Sequence, residues 1–130
     1  MTASKPLTAL LVLWDLSAGS NATFEELRDY LRERSIPRFE QLDGLRQKTW
    51  ISDPASGKWG ALYLFDERSQ AQAVIDHLSE SPVVTLTGRT PTAQLFDVEA
   101  VVEGQHSGVD LLMEVFRRES RSLLQYIRAA

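Results

Sequence analysis

Apolar residues along the chain fall into short, strand-like runs separated by stretches with helical spacing. The first run, residues 7–14, is dominated by Leu, Val and Ala and is followed by Asp15 and other turn-forming residues, which is typical of a buried strand. Three later runs have similar composition, and an Asp-Pro-Ala-Ser-Gly turn joins two of them into a hairpin. The predicted strands cover residues 7–14, 45–52, 59–65 and 92–102.

Two stretches between the strands have the spacing of amphipathic helices. After Asn21 or Thr23, either of which can cap a helix, apolar residues recur at i, i+3 and i+4 as far as Pro37, which either kinks the helix or begins a new turn. Residues 66–78 repeat the spacing, with Asp66 as the expected N-cap.

Residues 79–91 carry mixed signals. Residues 83–87 have strand composition, whereas Pro82 and the Gly-Arg-Thr-Pro turn after them interrupt it. We therefore expect only a short strand-like excursion at this point.

The order of these elements is that of a duplicated βαβ unit. Right-handed crossovers then place the first and third strands at the centre of a four-stranded antiparallel sheet. The predicted fold is α+β, a ferredoxin-like plait (βαββαβ). Both helices cover one face of the sheet and leave the other face open.

The alternation along the strands predicts which side chains lie on the open face. In the third strand, Leu62 and Leu64 suit the helix side, so the residues between them point away from the helices. The expected open face is an aromatic surface able to close a homodimer and to hold a planar organic molecule. It is expected to carry Leu10, Val12, Trp14, Trp59, Ala61, Tyr63, Phe65, Gln94 and Phe96.

The C-terminal stretch predicts a third amphipathic helix outside the plait. Its apolar stripe needs a surface, which is the open sheet face, a partner subunit or a groove in another protein. We divide the chain into the plait, residues 1–104, and the helical extension, residues 105–130. The stripe consists of Val109, Leu112, Phe116, Leu123 and Ile127.

Composition removes several classes of function. The 130 residues contain no Cys, which excludes disulfides, thiol nucleophiles and Cys-based metal sites. A net charge of −4 argues against a nucleic-acid or anionic-membrane partner. With no apolar run long enough to span a bilayer and no secretory signal pattern, we expect a cytoplasmic protein.

The same topology occurs in RNA-recognition domains, whose third strand carries alternating aromatic residues that stack on bases. Here the two central stacking positions are Gly60 and Leu62. RNA binding is therefore not predicted.

Three strings along the chain carry a resemblance to a known family. They are residues 43–50, which contain Lys48-Thr49-Trp50, residues 60–65, which read Gly-Ala-Leu-Tyr-Leu-Phe, and residues 95–98. In this order and spacing they resemble the YdhR-type monooxygenase family, which lies within the dimeric α/β-barrel superfamily of antibiotic-biosynthesis monooxygenases. The resemblance covers roughly residues 7–100.

This resemblance implies a homodimer whose sheets pack face to face, with a pocket between each sheet and its helices. It also implies oxidation of a small hydrophobic aromatic or polyketide-like substrate by O₂ without flavin, haem or metal, so we expect no cofactor. The sequence is compatible, since it has no Gly-rich nucleotide loop and His77 and His106 lack metal-site spacing. Such chemistry requires a substrate that gives an electron to O₂ itself, as a phenolate or enolate does.

Lys48 is the first candidate for a chemical role. The resemblance sets Lys48 and Trp50 toward the open face, where an ammonium stabilises a developing oxyanion. The alternative is a Lys that snorkels to solvent or pairs with Asp97 or Asp15 across the sheet.

The other candidates each have a structural alternative. Tyr63 and Trp50 either stack on the substrate, with Tyr63 also able to donate its hydroxyl, or pack at the dimer interface or in the core. Arg46 assists Lys48 or is solvated, and His77 is a general base or a surface residue. The catalytic candidates are Lys48, Tyr63 and His77, and the substrate-binding candidates are Trp14, Arg46, Trp50, Trp59, Phe65, Gln94 and Phe96.

Two further functions remain open because one scaffold supports many activities. The first is a cyclase or isomerase of natural-product biosynthesis that uses the same pocket without O₂. The second is a non-catalytic dimeric binding protein, for which the C-terminal helix is the docking device.

Overall fold

The computed structural model describes residues 5–106, 108–115 and 117. The chain divides into two compact units, Met1–Glu99 and Ala100–Ala130. The sequence analysis places this division five residues later, between residues 104 and 105.

The first unit is built from strands and short helices. The strands are β1 (Thr8–Asp15), β2 (Leu45–Asp53), β3 (Lys58–Phe65) and β4 (Thr92–Asp97). The helices are α1 (Phe24–Tyr30), α2 (Ile36–Phe39), α3 (Arg68–Asp76) and α4 (Pro82–Thr87). A π-helical segment (Leu31–Ser35) joins α1 to α2, and a 3₁₀ turn (Leu78–Glu80) lies between α3 and α4.

The four strands form one antiparallel sheet in the order β2-β3-β1-β4. β1 and β3 lie at its centre, and the helices pack on one face. The predicted ferredoxin-like α+β plait is confirmed.

The elements α1, the π-helical segment and α2 follow one another without a break and form one helical arm. Thr23 caps the arm through a capping box with Glu26, whose amide donates to Thr23 Oγ1 over 3.1 Å. The Ile36 amide donates to the Leu31 carbonyl, the i→i+5 bond of a π-helix. Pro37 follows directly, and because it has no amide hydrogen it starts a new turn instead of extending the old one.

The predicted strand excursion over residues 83–87 is wrong, since these residues form α4. Ser81 caps this helix by accepting from the Val83 amide over 3.3 Å, and Pro82 occupies its first turn. Gly88 ends it in the left-handed conformation, with φ of 71°. A Ser cap, a Pro at the start and a Gly at the end are strong helix signals, and they override the strand propensity of the residues between them.

Two other boundaries differ from the prediction. The N-cap of α3 is Glu67, which forms a capping box with Gln70, and the predicted cap Asp66 instead donates its amide to the Gly44 carbonyl over 2.9 Å. β4 is shorter than predicted and ends at Asp97.

Most of the side chains that were predicted to face away from the helices face toward them. Gln94 and Phe96 are the exceptions and lie on the opposite side, as predicted. Phe24 of α1 lies edge-on to Trp59, and Phe39 of α2 lies edge-on to Tyr63, with ring centroids 6.1 and 6.0 Å apart. Leu62, on the other face, is 45% exposed. The helix-facing set includes Leu10, Val12, Trp14, Lys48, Trp50, Trp59, Ala61, Tyr63 and Phe65.

This correction has a simple physical reason. Strand alternation decides which residues share a face, but both faces of β1 and β3 are apolar, so alternation alone does not say which face meets the helices. The helical arm supplies two aromatic rings of its own, and large rings on the facing strands fill the space between the layers.

The opposite side of the sheet is referred to below as the open face. The pairing of Leu11 with Leu62 and with Gln94 defines it at the centre of the sheet. Its residues are mostly apolar, and Leu62 and Phe96 are the most exposed of its large side chains. The open face consists of Ala9, Leu11, Leu13, Gln47, Thr49, Ile51, Gly60, Leu62, Leu64, Thr92, Gln94 and Phe96.

In the second unit, residues 108–115 and 117 are helical, within the stretch where the sequence predicts a third helix. Three members of the predicted stripe, Phe116, Leu123 and Ile127, lie outside the described residues. Among the residues that are described, no helix is both long and apolar enough to cross a bilayer.

Candidate functional site

A cavity of about 570 Å³ lies between the sheet and the helices of the first unit. Small-molecule pockets in proteins commonly have volumes of roughly 300–1,000 Å³. The sheet contributes Trp14, Lys48, Trp50, Trp59, Gly60, Ala61, Tyr63 and Phe65. The helices and their connections contribute residues that include Tyr30, Ser35, Arg38, Phe39, Leu42, Val74, His77, Leu78 and Val83.

Lys48 lies in this cavity inside a box of three aromatic rings, formed by Phe39, Trp50 and Tyr63. Its Nζ is 3.2 Å from the ring centroid of Phe39 and 4.4 Å from those of Trp50 and Tyr63. An ammonium over aromatic faces is stabilised by the ring quadrupoles, most strongly where water is excluded. The aromatic box therefore holds a proton on Lys48 when the amine receives one.

A β-bulge in β2 produces this arrangement. Leu45 pairs with Phe65 and Gln47 pairs with Leu64, so Arg46 has no paired residue in β3. The extra residue changes the alternation, and Lys48, opposite Tyr63, shares the helix-facing side with Leu45.

Burial and, to a smaller extent, the charge of Arg38 lower the pKa of the Lys48 amine from 10.5 to about 6. Moving a charged amine out of water is unfavourable, so burial favours the neutral form. At neutral pH Lys48 is therefore mostly an uncharged amine, which can accept a proton or act as a nucleophile.

The two carboxylates considered as partners for Lys48 are both engaged elsewhere. Asp15 pairs with Lys58 over 2.9 Å, and Asp97 pairs with Arg68 over 3.7 Å. In the described part of the chain no carboxylate lies within ion-pair distance of Lys48. The alternative of a cross-sheet ion pair is wrong, and the amine is free for chemistry in the cavity.

Tyr63 supplies the second polar group of the sheet wall. Its ring stacks on Phe65, with centroids 5.9 Å apart and planes inclined by 12°. Burial raises the pKa of Tyr63 to about 12, so its hydroxyl stays protonated and is a hydrogen-bond donor. Within residues 5–106 this hydroxyl has no hydrogen-bond partner.

Charged side chains lie where the cavity approaches the surface. Arg38, Asp43 and Glu80 all line it and are exposed. His77 belongs to the same group, with its Nδ1 3.2 Å from Glu80 Oε2 and its side chain 72% exposed. The predicted general base is thus at the rim of the cavity, while Lys48 is inside.

Trp14 and Trp59 form one end of the sheet wall and also have structural contacts. Trp14 Nε1 donates to the Arg89 carbonyl over 3.0 Å, and both indoles are 5% exposed. Arg89 in turn donates to the carbonyls of Ala18 and Gly19. These bonds fix the loops that follow β1 and α4.

Three of the predicted site residues do not line the cavity. The bulge places Arg46 at the surface, where it pairs with Asp66 over 3.3 Å. Gln94 and Phe96 belong to the open face, because Leu95 between them packs on the core. The other seven candidates line the cavity: Trp14, Lys48, Trp50, Trp59, Tyr63, Phe65 and His77.

Sequence reasoning missed Arg38 and Phe39 as site residues. Their position depends on the π-helical turn and on Pro37, which together carry α2 across β2 and β3. The available signal was the aromatic residue two positions after a Pro that restarts the helix. That signal indicates a buried ring but not its partners.

The residues described include no group of three or more His, Asp or Glu side chains placed to hold a metal ion. Besides the Lys48 amine and the Tyr63 hydroxyl, the polar side chains that line the cavity include Tyr30, Ser35, Gln70 and Ser81.

Several solved structures resemble this fold, and they include the following two. A protein of unknown function from Nitrosomonas europaea has a TM-score of 0.58 at 16% sequence identity, with 80% of this chain and 100% of that chain covered. A monooxygenase from the gene ActVA-Orf6 of Streptomyces coelicolor, in complex with the ligand nanaomycin D, has a TM-score of 0.54 at 11% identity, with 78% of this chain and 95% of that chain covered. At these identities the likeness shows a shared fold.

No match was found among curated proteins. Residues 17–106 match the family described as "Putative mono-oxygenase ydhR". The match includes all three strings on which the resemblance rests and covers more than half of the chain. The chain therefore belongs to this ydhR family.

Proposed function

We propose that this protein is a monooxygenase that oxidises a small hydrophobic phenol with O₂ and without a cofactor. The observation that carries the proposal is the Lys48 amine, unpaired among the described residues, inside an aromatic box within a cavity of about 570 Å³. The family supports the reaction class. The polyketide-like substrate class rests on nanaomycin D, the ligand in the Streptomyces coelicolor structure.

In this proposal Lys48 begins the reaction as a general base. The neutral amine removes the proton of the phenol, which leaves a phenolate beside the new ammonium. The ring faces of Phe39, Trp50 and Tyr63 then stabilise the ammonium, and the ammonium stabilises the phenolate. The oxyanion-stabilising role expected of Lys48 thus follows from its role as a base.

The phenolate supplies all the electrons that O₂ requires. For a phenol with a hydrogen on the para carbon, transfer of electrons to O₂ allows a C–O bond to form at that carbon. Loss of its hydrogen and cleavage of the O–O bond give a quinone and one water molecule. One oxygen atom enters the product and the other leaves as water, so no external reductant is needed.

Tyr63 and the rings of the aromatic box hold the substrate in this scheme. The protonated Tyr63 hydroxyl donates to the phenolate oxygen or to the oxygen added from O₂. Trp50 and Phe39 provide flat apolar surfaces for a planar ring system. Polar substituents of the substrate would reach water at the rim of the cavity, beside Arg38 and His77.

We also propose a homodimer formed through the open face. Leu11, Leu13, Leu62 and Leu64 make the centre of this face apolar, and Leu62 alone is 45% exposed. A second copy packed on it would bury the apolar centre about a two-fold axis.

Oxygen uptake tests the reaction. We expect consumption of O₂ on addition of a polycyclic phenol in buffer treated with chelator, with one quinone formed for each O₂ consumed. The control variant is Arg46→Gln, since Arg46 lies outside the cavity. Conversion of the same compound at an undiminished rate under argon would contradict the proposal and would favour the cyclase or isomerase, which uses the base but not O₂.

A further inference from the structure

We propose that Lys48 is also a covalent binding site for small apolar aldehydes and ketones, with which its amine condenses to form an imine. This property goes beyond the proposed oxidation, because it requires neither O₂ nor a phenol. It rests on the location of the amine, on the walls around it and on the contrast with the other lysines of the chain.

The three lysines of this chain have different surroundings. Lys5 is exposed, and Lys58 is held by the Asp15 carboxylate over 2.9 Å. An amine held by a carboxylate is not free to attack a carbonyl carbon. Lys48 faces the cavity, and in the described residues its close neighbours are rings and not carboxylates.

The walls around Lys48 suit an apolar carbonyl compound. Phe39, Trp50 and Tyr63 enclose Nζ. Beyond these rings the cavity is lined by apolar side chains that include Leu42, Leu78 and Val83, against which an apolar carbonyl compound can pack while its carbon meets the amine. The limited access of water to such a pocket slows hydrolysis of the imine.

The charge of Arg38 acts in the same direction as burial. It disfavours the ammonium form of Lys48 and so favours the nucleophilic amine. The ionisable groups that share the cavity with Lys48 are Tyr30, Arg38, Asp43, Tyr63, His77 and Glu80.

The reaction balances without an oxidant. The Nζ lone pair forms a C–N bond to the carbonyl carbon, the π electrons move to the oxygen, and the oxygen leaves as water with the two protons of the amine. Tyr63, whose hydroxyl has no hydrogen-bond partner within residues 5–106, can donate a proton to the departing oxygen. The product is an imine between Lys48 and the former carbonyl carbon, reversible until it is reduced.

Reductive trapping tests the proposal on the unmodified protein. Benzaldehyde and sodium cyanoborohydride are added at neutral pH under argon, and the benzyl group is located by peptide mass spectrometry. Peptide mapping is needed because the terminal amino group also reacts. We expect Lys48 to be labelled at least about tenfold faster than Lys58, since the Lys58 amine is held by the Asp15 carboxylate and the Lys48 amine faces the cavity.

Two controls decide the interpretation. In urea the chain is unfolded and the preference for Lys48 should disappear, which shows that it comes from the fold. Phe39→Leu keeps an apolar residue but removes a ring face. We expect it to lower the labelling rate of Lys48 and to leave the labelling rate of Lys58 unchanged. Labelling of Lys48 no faster than that of Lys58 in the folded protein overturns the proposal. Because no O₂ is present, this outcome is independent of whether the proposed oxidation occurs.

Discussion

At the scale of single residues, the protonation state of Lys48 decides whether the cavity contains a base. Burial lowers its pKa to about 6, so around neutral pH the amine is available as a base. An ordinary surface lysine is almost entirely protonated under the same conditions. The low pKa thus comes from the burial of the amine in the cavity, with a smaller contribution from Arg38.

The first prediction concerns the pH dependence of turnover. As the pH falls through about 6, Lys48 becomes protonated, and we expect kcat/KM to fall about tenfold per pH unit below that point. Lys48→Gln should lower kcat/KM by roughly 10²–10⁴-fold and remove this inflection. The measurement is a kcat/KM profile between acidic and mildly alkaline pH.

Variants of two neighbouring residues serve as controls for this profile. Arg46→Gln should keep both rate and inflection, because Arg46 pairs with Asp66 outside the cavity. His77→Gln should keep the inflection. If the inflection disappears in His77→Gln and persists in Lys48→Gln, the base is His77 and the role given to Lys48 is wrong.

The second prediction concerns the stability cost of this buried amine. Between the folded pKa of about 6 and the ordinary value of 10.5, the unfolded chain binds a proton at this site that the folded chain does not. Lowering the pH through that range therefore favours unfolding. Lys48→Met, which keeps a long apolar side chain, should raise the free energy of unfolding at neutral pH by about 1–3 kcal/mol.

Urea unfolding at two pH values tests this prediction. The gain from Lys48→Met should be larger at neutral pH than at mildly alkaline pH, because the penalty for the buried amine decreases as the pH approaches 10.5. Lys5→Met, at an exposed position, is the control and should change the free energy of unfolding little at either pH. An equal gain at both pH values, or a loss, would show that Lys48 titrates normally.

At the scale of elements, the site depends on how the helical arm is connected to β2. Gly44 makes that connection with φ of 76°, and its carbonyl accepts from the Asp66 amide over 2.9 Å. A Cβ at this position would overlap the side chain of Gln70. Gln70 in turn accepts from the Glu67 amide over 3.1 Å in the capping box of α3.

The third prediction follows from that packing. Gly44→Ala should destabilise the fold by roughly 1–3 kcal/mol, because it forces a left-handed backbone on a residue with a Cβ and displaces the Gln70 side chain. The measurement is the midpoint of thermal or urea unfolding. Gly104→Ala is the control, since no atom lies within 4 Å of a Cβ there. A Gly44→Ala variant as stable as the Gly104→Ala variant would contradict this account.

The element scale also shows what the sequence could reveal. Alternation along a strand keeps Trp59, Tyr63 and Phe65 on one face whichever face that is, so the aromatic group was predicted correctly as a set. It was assigned to the wrong side because both faces of the central strands are apolar. Arg46 and Lys48 do not share a side of the sheet because β2 contains a bulge. No residue of that strand predicts the bulge.

The helical arm was harder to predict from the sequence. Local signals identify its start at Thr23 and the interruption at Pro37. They do not give the π-helical turn, which directs Phe39 at Lys48 and so completes the aromatic box. That contact joins residues on different elements and is decided by packing.

At the scale of the whole molecule, the corrected strand orientation separates two tasks that the sequence analysis assigned to one surface. The aromatic set faces the helices and lines the cavity, while the open face is aliphatic at its centre, with Leu11 paired to Leu62. The substrate binding and the dimer formation proposed above would therefore use opposite sides of the same sheet. A variant that disrupts one should leave the other side chemically unchanged.

The fourth prediction uses this separation. Leu62→Glu places a carboxylate at the centre of the open face, where a packed second copy would leave it without water or a counter-ion. We expect the dissociation constant of the dimer to increase at least about tenfold. Sedimentation velocity over a range of concentrations measures this constant. Thr85→Glu adds the same charge at an exposed site on α4 and should leave the oligomeric state unchanged.

If the unmodified protein sediments as a monomer, or if Leu62→Glu dissociates no more than Thr85→Glu, the open face is not the dimer interface. The labelling rate of Lys48 in the monomeric variant then shows whether the cavity keeps its chemistry without the partner copy.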